Sequence, residues 1–253
     1  MIPQSEVRDA AERLGVPEYQ IARDHVVSHM LHALETFVDL DHVVFFGGTA
    51  LCRTWCPNLR LSEDIDLITA GYPATGPEIL THIQKAKQSE FPDFSWGPFG
   101  SNNDTQTTIV STGSSDIKVQ FVKPRPNEEI IPVEPTSVLL AYSDLPASTR
   151  LTVPTAEGFA AMKLMAWHQR QACRDLYDLA ALAEIGALTS SAVELTYNVT
   201  KTRLGHPALN HKIPPKVENR WDEQIAHQLG KPRSAQDCLA VVLTALATLE
   251  RLR

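Results

Sequence analysis

The spacing of apolar positions changes character near residue 150. Before it, helical repeats alternate with short apolar runs. Ser5–Leu14 reads as a helix with Ser5 as its N-cap, stopped by Gly15, Val16 and Pro17. Between Glu18 and Leu40, residues Ile21, Val26, Val27, Met30, Leu31, Leu34 and Phe37 recur at helical spacing, which predicts a long amphipathic helix. Val43–Phe46 is a short continuous apolar run, the mark of a buried strand. It breaks at Gly47-Gly48, and a helix from Thr49 to about Cys56 follows, ended by Pro57-Asn58. Ile65–Thr69 reads as a second strand, and Pro77 to about Ser89 as a helix with proline in its first turn. Phe91–Asp104 is a long loop. Gln106–Ser111 and Asp116–Val122 alternate around Gly113-Ser114 and predict a hairpin. Ile130–Tyr142 fits neither template, and Leu151–Val153 is a short strand.

From Thr155, as cap, the pattern is helical: to about Gln171, then Arg174–Ile185, Ser190–Arg203, Asn219–Leu229 and Ala235–Leu252, with a loop over Gly205–Pro215. The fold class expected is therefore α+β or α/β. A mixed-sheet core flanked by helices takes residues 1–150, and a helical domain takes 151–253. No flexible linker separates them, so the two are expected to pack together.

Composition narrows the class. With 253 residues, 43% hydrophobic and 21% charged, the chain has ample material for one large domain or two smaller ones. No apolar run approaches the ~20 residues that span a bilayer, and the N-terminus lacks a basic segment followed by an apolar one. A soluble cytoplasmic protein is expected, with no membrane partner. The four cysteines, at 52, 56, 173 and 238, lack paired zinc-ligand spacing and read as reduced thiols. A net charge of −7 argues against broad nucleic-acid coating, while leaving room for a local basic surface that grips one RNA end. His25, His29 and His32 share one side of the second helix. A metal cluster is one reading. A half-exposed helix face is preferred, because no carboxylate or cysteine at matching spacing completes a site.

The candidate chemistry lies in Val43–Ile68. Asp64 and Asp66, two apart on a strand, point to one face. Paired carboxylates are costly there unless a cation sits between them, and oxygen ligands of this kind suit Mg2+. Gly47-Gly48 lets backbone N–H groups approach an anion at a helix start, and Thr49 adds a hydroxyl. A nucleoside triphosphate (NTP) fits between turn and carboxylates, with metal ions bridging them to activate an attacking hydroxyl and stabilise leaving pyrophosphate. Taken singly, a Gly-Gly pair is often only a tight turn and an Asp-x-Asp only a solvated strand end.

GGTAL followed by RLSEDIDL resembles the nucleotidyltransferase core of the DNA polymerase β superfamily, and more narrowly the AbiEii group that includes the MenT toxins of bacterial toxin–antitoxin systems. EYQIARDHVVSHMLHAL is similar to the helix before that core, and TAEGFAAMKLMAWHQRQACRDLYDLAAL to a second signature. The likeness covers most of residues 18–186; the later helices match only in general character.

The resemblance implies that Gly47, Gly48 and Thr49 hold phosphates and that Asp64 and Asp66 bind Mg2+. It makes Lys163 a triphosphate contact, where a fixed cation would stabilise charge on the leaving group; otherwise Lys163 is a surface lysine. Asp178 becomes the second-signature acid needed for activity, and Asp175, at a helix start, mainly structural. Arg170 and Arg174 orient phosphate or pair with these aspartates, so Arg174 and Ser62 join the nucleotide-binding candidates. The nucleotide would lie between Val43–Ile68 and Lys163–Asp178.

One departure stands out. The superfamily usually supplies a third carboxylate from a later strand, and Gln120 stands where that acid is expected. Asp116 or Asp178 substitutes for it, or the base is less direct. Ser62 matches a position that some members have phosphorylated by a partner antitoxin, which would put up to two negative charges beside the site; otherwise it is a strand-edge serine. The implied reaction transfers a nucleotide, often a pyrimidine, from an NTP to the 3′ acceptor end of tRNA with release of pyrophosphate, blocking translation and growth. Lys201, Arg203, His206, His211, Lys212, Lys216 and Arg220 form a basic stretch suited to an RNA backbone, or else a solvated loop. The same chemistry on a protein or small-molecule hydroxyl, and a non-catalytic interaction protein on this fold, are the alternatives.

Overall fold

The computed structural model describes residues 2–57, 59–124, 130–202, 204–205, 209, 212–225 and 232–251. It divides into two compact units: residues 1–124 with 134–153, and residues 125–133 with 154–253. The helical unit thus takes back residues 125–133 from the first half.

The first unit begins with helices α1 (Gln4–Leu14) and α2 (Glu18–Leu34). Strand β1 (Val43–Phe46) runs straight into α3 (Gly47–Arg53), and β2 (Asp64–Thr69), α4 (Thr75–Lys87), β3 (Ser95–Trp96), β4 (Gly100–Ser101), β5 (Thr105–Ser111) and β6 (Asp116–Val122) follow. The main sheet has the order β1-β2-β6-β5-β3, with β4 also on β5. β2 lies antiparallel to β1 and parallel to β6. Two further strands, β7 (Val133–Leu139) and β8 (Ser148–Pro154), form a separate ribbon. Alternation puts Ile65, Leu67, Ile117, Val119 and Phe121 inside with Phe45, while Asp64 and Asp66 take the other face of β2. Ile79, Leu80 and Ile83 of α4 and Val27, Met30 and Leu31 of α2 complete the core.

The second unit contains α5 (Ala156–Arg170), α6 (Cys173–Glu184), α7 (Ser190–Thr200), α8 (Pro215–Glu218), α9 (Trp221–Ile225) and α10 (Ala235–Arg251). α6 is its centre, packed by α5, α9 and α10. Thr155 caps α5 by accepting from the Gly158 N–H, as expected, and Thr189 caps α7 by accepting from Ala192.

Several expectations are corrected. Ser5 is not a cap: α1 starts one residue earlier, after Pro3, with no side-chain capping bond. α2 ends at Leu34 rather than Leu40, and it is not amphipathic, since Asp24, His25, Ser28 and His29 are buried along with its apolar residues. Such a helix is enclosed on most sides, and its polar groups are satisfied by other elements. Asp24 accepts from Arg53 of α3 at 2.6 Å and from the Tyr142 hydroxyl at 2.8 Å. Ile130–Tyr142 contains β7, a mostly exposed strand whose pattern carries little alternation. Among the described residues no helix is long and apolar enough to cross a membrane, and Cys52, Cys56, Cys173 and Cys238 are buried thiols outside any disulfide.

Candidate active site

The chain reverses at Gly47, where φ is +81°, a conformation that L side chains rarely adopt. The register pairs Phe46 with Asp66, which brings the Asp66 carboxylate onto the turn. A Cβ at residue 47 would lie 2.2 Å from Asp66 Oδ2, so only glycine lets the carboxylate sit there. A Cβ at Gly48 would lie 2.5 Å from Arg60 Nη2 and 3.3 Å from Ser62 Oγ. The turn is therefore lined by a carboxylate, a guanidinium and a hydroxyl. α3 is only seven residues long, so this close approach, rather than a long helix dipole, gives the turn its character.

Thr49 is 1% exposed. Its hydroxyl bonds the Ser62 hydroxyl at 2.8 Å and also the Asp64 carbonyl. Thr49 and Ser62 together fix the start of β2 against α3. Glu63, between Ser62 and Asp64, is drawn toward Arg23 of α2 at 2.5 Å.

Across the parallel pairing, Asp64 lies beside Lys118 and Asp66 beside Gln120. Lys118 Nζ is 3.5 Å from Asp64 Oδ2; both side chains are a third or more exposed, so solvent screens the pair and it is worth about 0–1 kcal/mol. Gln120 presents an amide where the superfamily pattern calls for an acid. Asp116 pairs with Ser111 at the exposed start of β6, two residues and about 7 Å along the strand from Lys118. Two oxygen donors, one partly exposed and one set on a glycine turn, fit a hard divalent cation such as Mg2+, which takes one or two protein carboxylates and keeps its remaining positions for water and phosphate.

The second signature lies within the helical unit. Lys163 on α5 is buried, not a surface lysine. Its Nζ is 2.7 Å from Asp178 Oδ2 and 3.4 Å from Asp175 Oδ1 on α6. Arg170 grips Asp175 with two bonds, Nε to Oδ2 at 2.6 Å and Nη2 to Oδ1 at 2.8 Å. Asp175 and Asp178 are both fully buried and share Lys163, so burial does not separate them as the spacing argument did. Arg174 is exposed. In the basic stretch, Lys216 donates to the Arg170 carbonyl at 3.1 Å and Arg220 lies 3.8 Å from Glu223. Arg203, His206 and His211 lie outside the described residues.

Sequence reasoning passed over Arg60, which is 5% exposed. The available signal was its place in RLSEDIDL, two residues before Ser62.

A strand, a glycine turn, a short helix and a second strand carrying two carboxylates, in a mixed sheet flanked by helices, define a nucleotidyltransferase fold. Residues 29–241 match the family model described as nucleotidyl transferase AbiEii toxin, type IV toxin–antitoxin system. The chain belongs to that family, and is a nucleotidyltransferase toxin whose family implies an NTP substrate and a cognate antitoxin. Among solved structures it is similar to MenT4, a nucleotidyltransferase toxin from Mycobacterium tuberculosis H37Rv, with 21% identity, a TM-score of 0.67, and coverage of 100% of this chain and 91% of that one. It is also similar to a candidate nucleotidyltransferase from H. pylori, with 16% identity, a TM-score of 0.59, and coverage of 94% and 99%. At these identities the likeness is one of fold. No curated protein sequence matches the chain.

Proposed function

We propose that this toxin transfers a nucleoside monophosphate, a pyrimidine one, from an NTP to the 3′ acceptor end of tRNA in the cytoplasm, with Mg2+ as its metal, so blocking translation. The observation that supports this reading best is the contact between Gly47 and Asp66. It sets the Asp66 carboxylate on the glycine turn, in the place where a side chain would otherwise stand. Asp64 and Asp66 would hold Mg2+, which supplies charge neutralisation on the phosphates. Backbone N–H groups at Gly47 and Gly48 would receive phosphate oxygens. The tRNA 3′-hydroxyl oxygen attacks the α-phosphorus, the bond to pyrophosphate breaks, and the hydroxyl proton leaves. Gln120 can orient that hydroxyl but cannot take its proton, so the proton goes to a carboxylate of the pair or to water.

Lys163 is assigned to the triphosphate and Asp178 to holding it, with Arg174 as an exposed cation on α6. Ser62 is the proposed target of an inactivating antitoxin kinase. It is 8% exposed and bonded to Thr49, so a kinase has to open the start of β2 to reach it. A phosphate there would crowd Gly48 and Arg60 and close the turn to a nucleotide.

The test is transfer of label from each of the four NTPs onto total tRNA with Mg2+. Label is expected on tRNA from a pyrimidine NTP, and none with Asp66→Asn. Full transfer by Asp66→Asn would refute the site assignment. Label on protein or small molecules instead would move the acceptor, and no NTP binding at all would leave an interaction protein.

A further inference from the structure

Outside the turn and its carboxylates, the first unit contains a second cluster of ligating groups. His25 and His29 sit one turn apart on α2 and are 7% and 2% exposed. Asp144 reaches them from the loop between β7 and β8. The three side chains form a group whose ligand atoms all lie within 4.8 Å of one another. His25 Nε2 is 3.0 Å from His29 Nε2 and 3.0 Å from each Asp144 oxygen, and His29 Nε2 is 3.3 Å from Asp144 Oδ2. The half-exposed histidine face read from the sequence is thus a buried pair completed by a carboxylate more than 100 residues away.

These contacts cannot all be hydrogen bonds. Each Nε2 carries at most one hydrogen. Three mutual contacts, between the two imidazoles and from each imidazole to Asp144, therefore share at most two protons. A cation between the three groups satisfies all of them without a proton. The spacing is close: bonds of about 2.0–2.2 Å in a tetrahedral zinc site separate the ligand atoms by about 3.3–3.6 Å, so the 3.0–3.3 Å found here has to open by only a few tenths of an ångström. The donor set, two imidazoles and one carboxylate, selects zinc and neighbouring transition metals over Mg2+.

We infer that His25, His29 and Asp144 form a zinc-binding site, with a water as fourth ligand on the side where Asp144 is partly exposed. The surroundings support it. Phe91 and Tyr142 pack edge-on against the imidazoles and keep the pair dry. Lys87, which faces the cluster, is paired with Glu90 at 3.8 Å. Bound zinc would fasten the 140–147 loop to α2. Tyr142 of that loop bonds Asp24, which in turn receives Arg53 of α3. The ion would thereby stiffen the frame behind the glycine turn, as a structural metal rather than a reacting one.

The test uses the full chain, stripped with a chelator, with excess Mg2+ present to occupy the Asp64–Asp66 face. Added Zn2+ is expected to bind at one equivalent per chain by calorimetry and to raise the melting temperature by about 5–10 °C at a hundredfold excess over Kd. Co2+ in its place should give visible absorption of a tetrahedral ion. Asp144→Asn, at a partly exposed position that should leave the fold intact, and His29→Asn should each abolish both responses. No binding of added Zn2+ by the wild-type chain, or equal binding by Asp144→Asn, would overturn the assignment.

Discussion

The contact between Gly47 and Asp66 permits a controlled experiment. In Gly47→Ala the new residue takes on the left-handed backbone penalty, about 1–2 kcal/mol, because φ is +81°. Its Cβ also lands 2.2 Å from Asp66 Oδ2, so the carboxylate has to leave the turn. Gly186, just past α6, has φ +77° and nothing within 4 Å of the same added atom. Gly186→Ala therefore carries the backbone term alone. At roughly 2–4 °C per kcal/mol for a chain of this size, Gly186→Ala is expected to melt about 2–8 °C below the parent and to keep nucleotide transfer. Gly47→Ala is expected to melt at least as far below, and to lose activity on the order of 10–100-fold, the loss typical of disturbing the support of a metal ligand. Thermal denaturation followed by circular dichroism and labelled-NTP transfer give the two readouts. If Gly47→Ala kept wild-type transfer, the carboxylate would have no need of its place on the turn, and the site argument would fail.

Two further outcomes follow from buried groups. Lys163→Met removes the cation 2.7 Å from the fully buried Asp178, and breaking a buried pair in this way costs about 3–5 kcal/mol; the melting temperature should fall by about 6–20 °C, with part recovered in Lys163→Met/Asp178→Asn, and an unchanged melting curve would contradict the ion cluster. Burial pushes the Cys238 thiol up to about 12 and raises Cys173 as well. A raised thiol pKa keeps the proton on in the fold while the unfolded thiol ionises from about 8.5. Stability should therefore fall as pH rises from there toward 12, and at pH about 8–9 alkylation read by mass spectrometry should spare both thiols in the native chain and reach all four after denaturation. Rapid native labelling of Cys238 would count against its burial.

What the sequence revealed and what it hid divide by range. Gly47 and the pair Asp64 and Asp66 were legible because strand periodicity of two fixes their common face without reference to the rest of the chain. The Lys163 helix and the α6 helix were legible from helical spacing for the same reason. α2 misled because His25 and His29 read as a half-exposed face of an amphipathic helix when the partners of its polar groups are out of sight: Arg53 lies 29 residues from Asp24, and Asp144 lies 119 and 115 residues from the two histidines. Periodicity reports how residues sort around one element, and it is blind to which distant group satisfies a buried polar atom. β7 escaped for the opposite reason, since an exposed strand leaves little pattern to read. Arg60 escaped because an arginine before a strand is ordinarily a solvated charge, whereas here it is buried and its guanidinium lies where a Cβ at Gly48 would stand.

The parallel register of β2 and β6 sets a charge count. At these four paired positions Asp64 and Asp66 contribute two negative charges and Lys118 one positive, while Gln120 adds nothing, a formal −1. A bare divalent ion meets a weaker attraction there than three carboxylates would exert. A triphosphate, in turn, meets less repulsion. On the reading proposed above, the register favours arrival of metal and nucleotide together over a metal site filled in advance. On that reading the toxin would be a poor ion binder alone and would commit its charge only when its substrate brings the counter-ions with it.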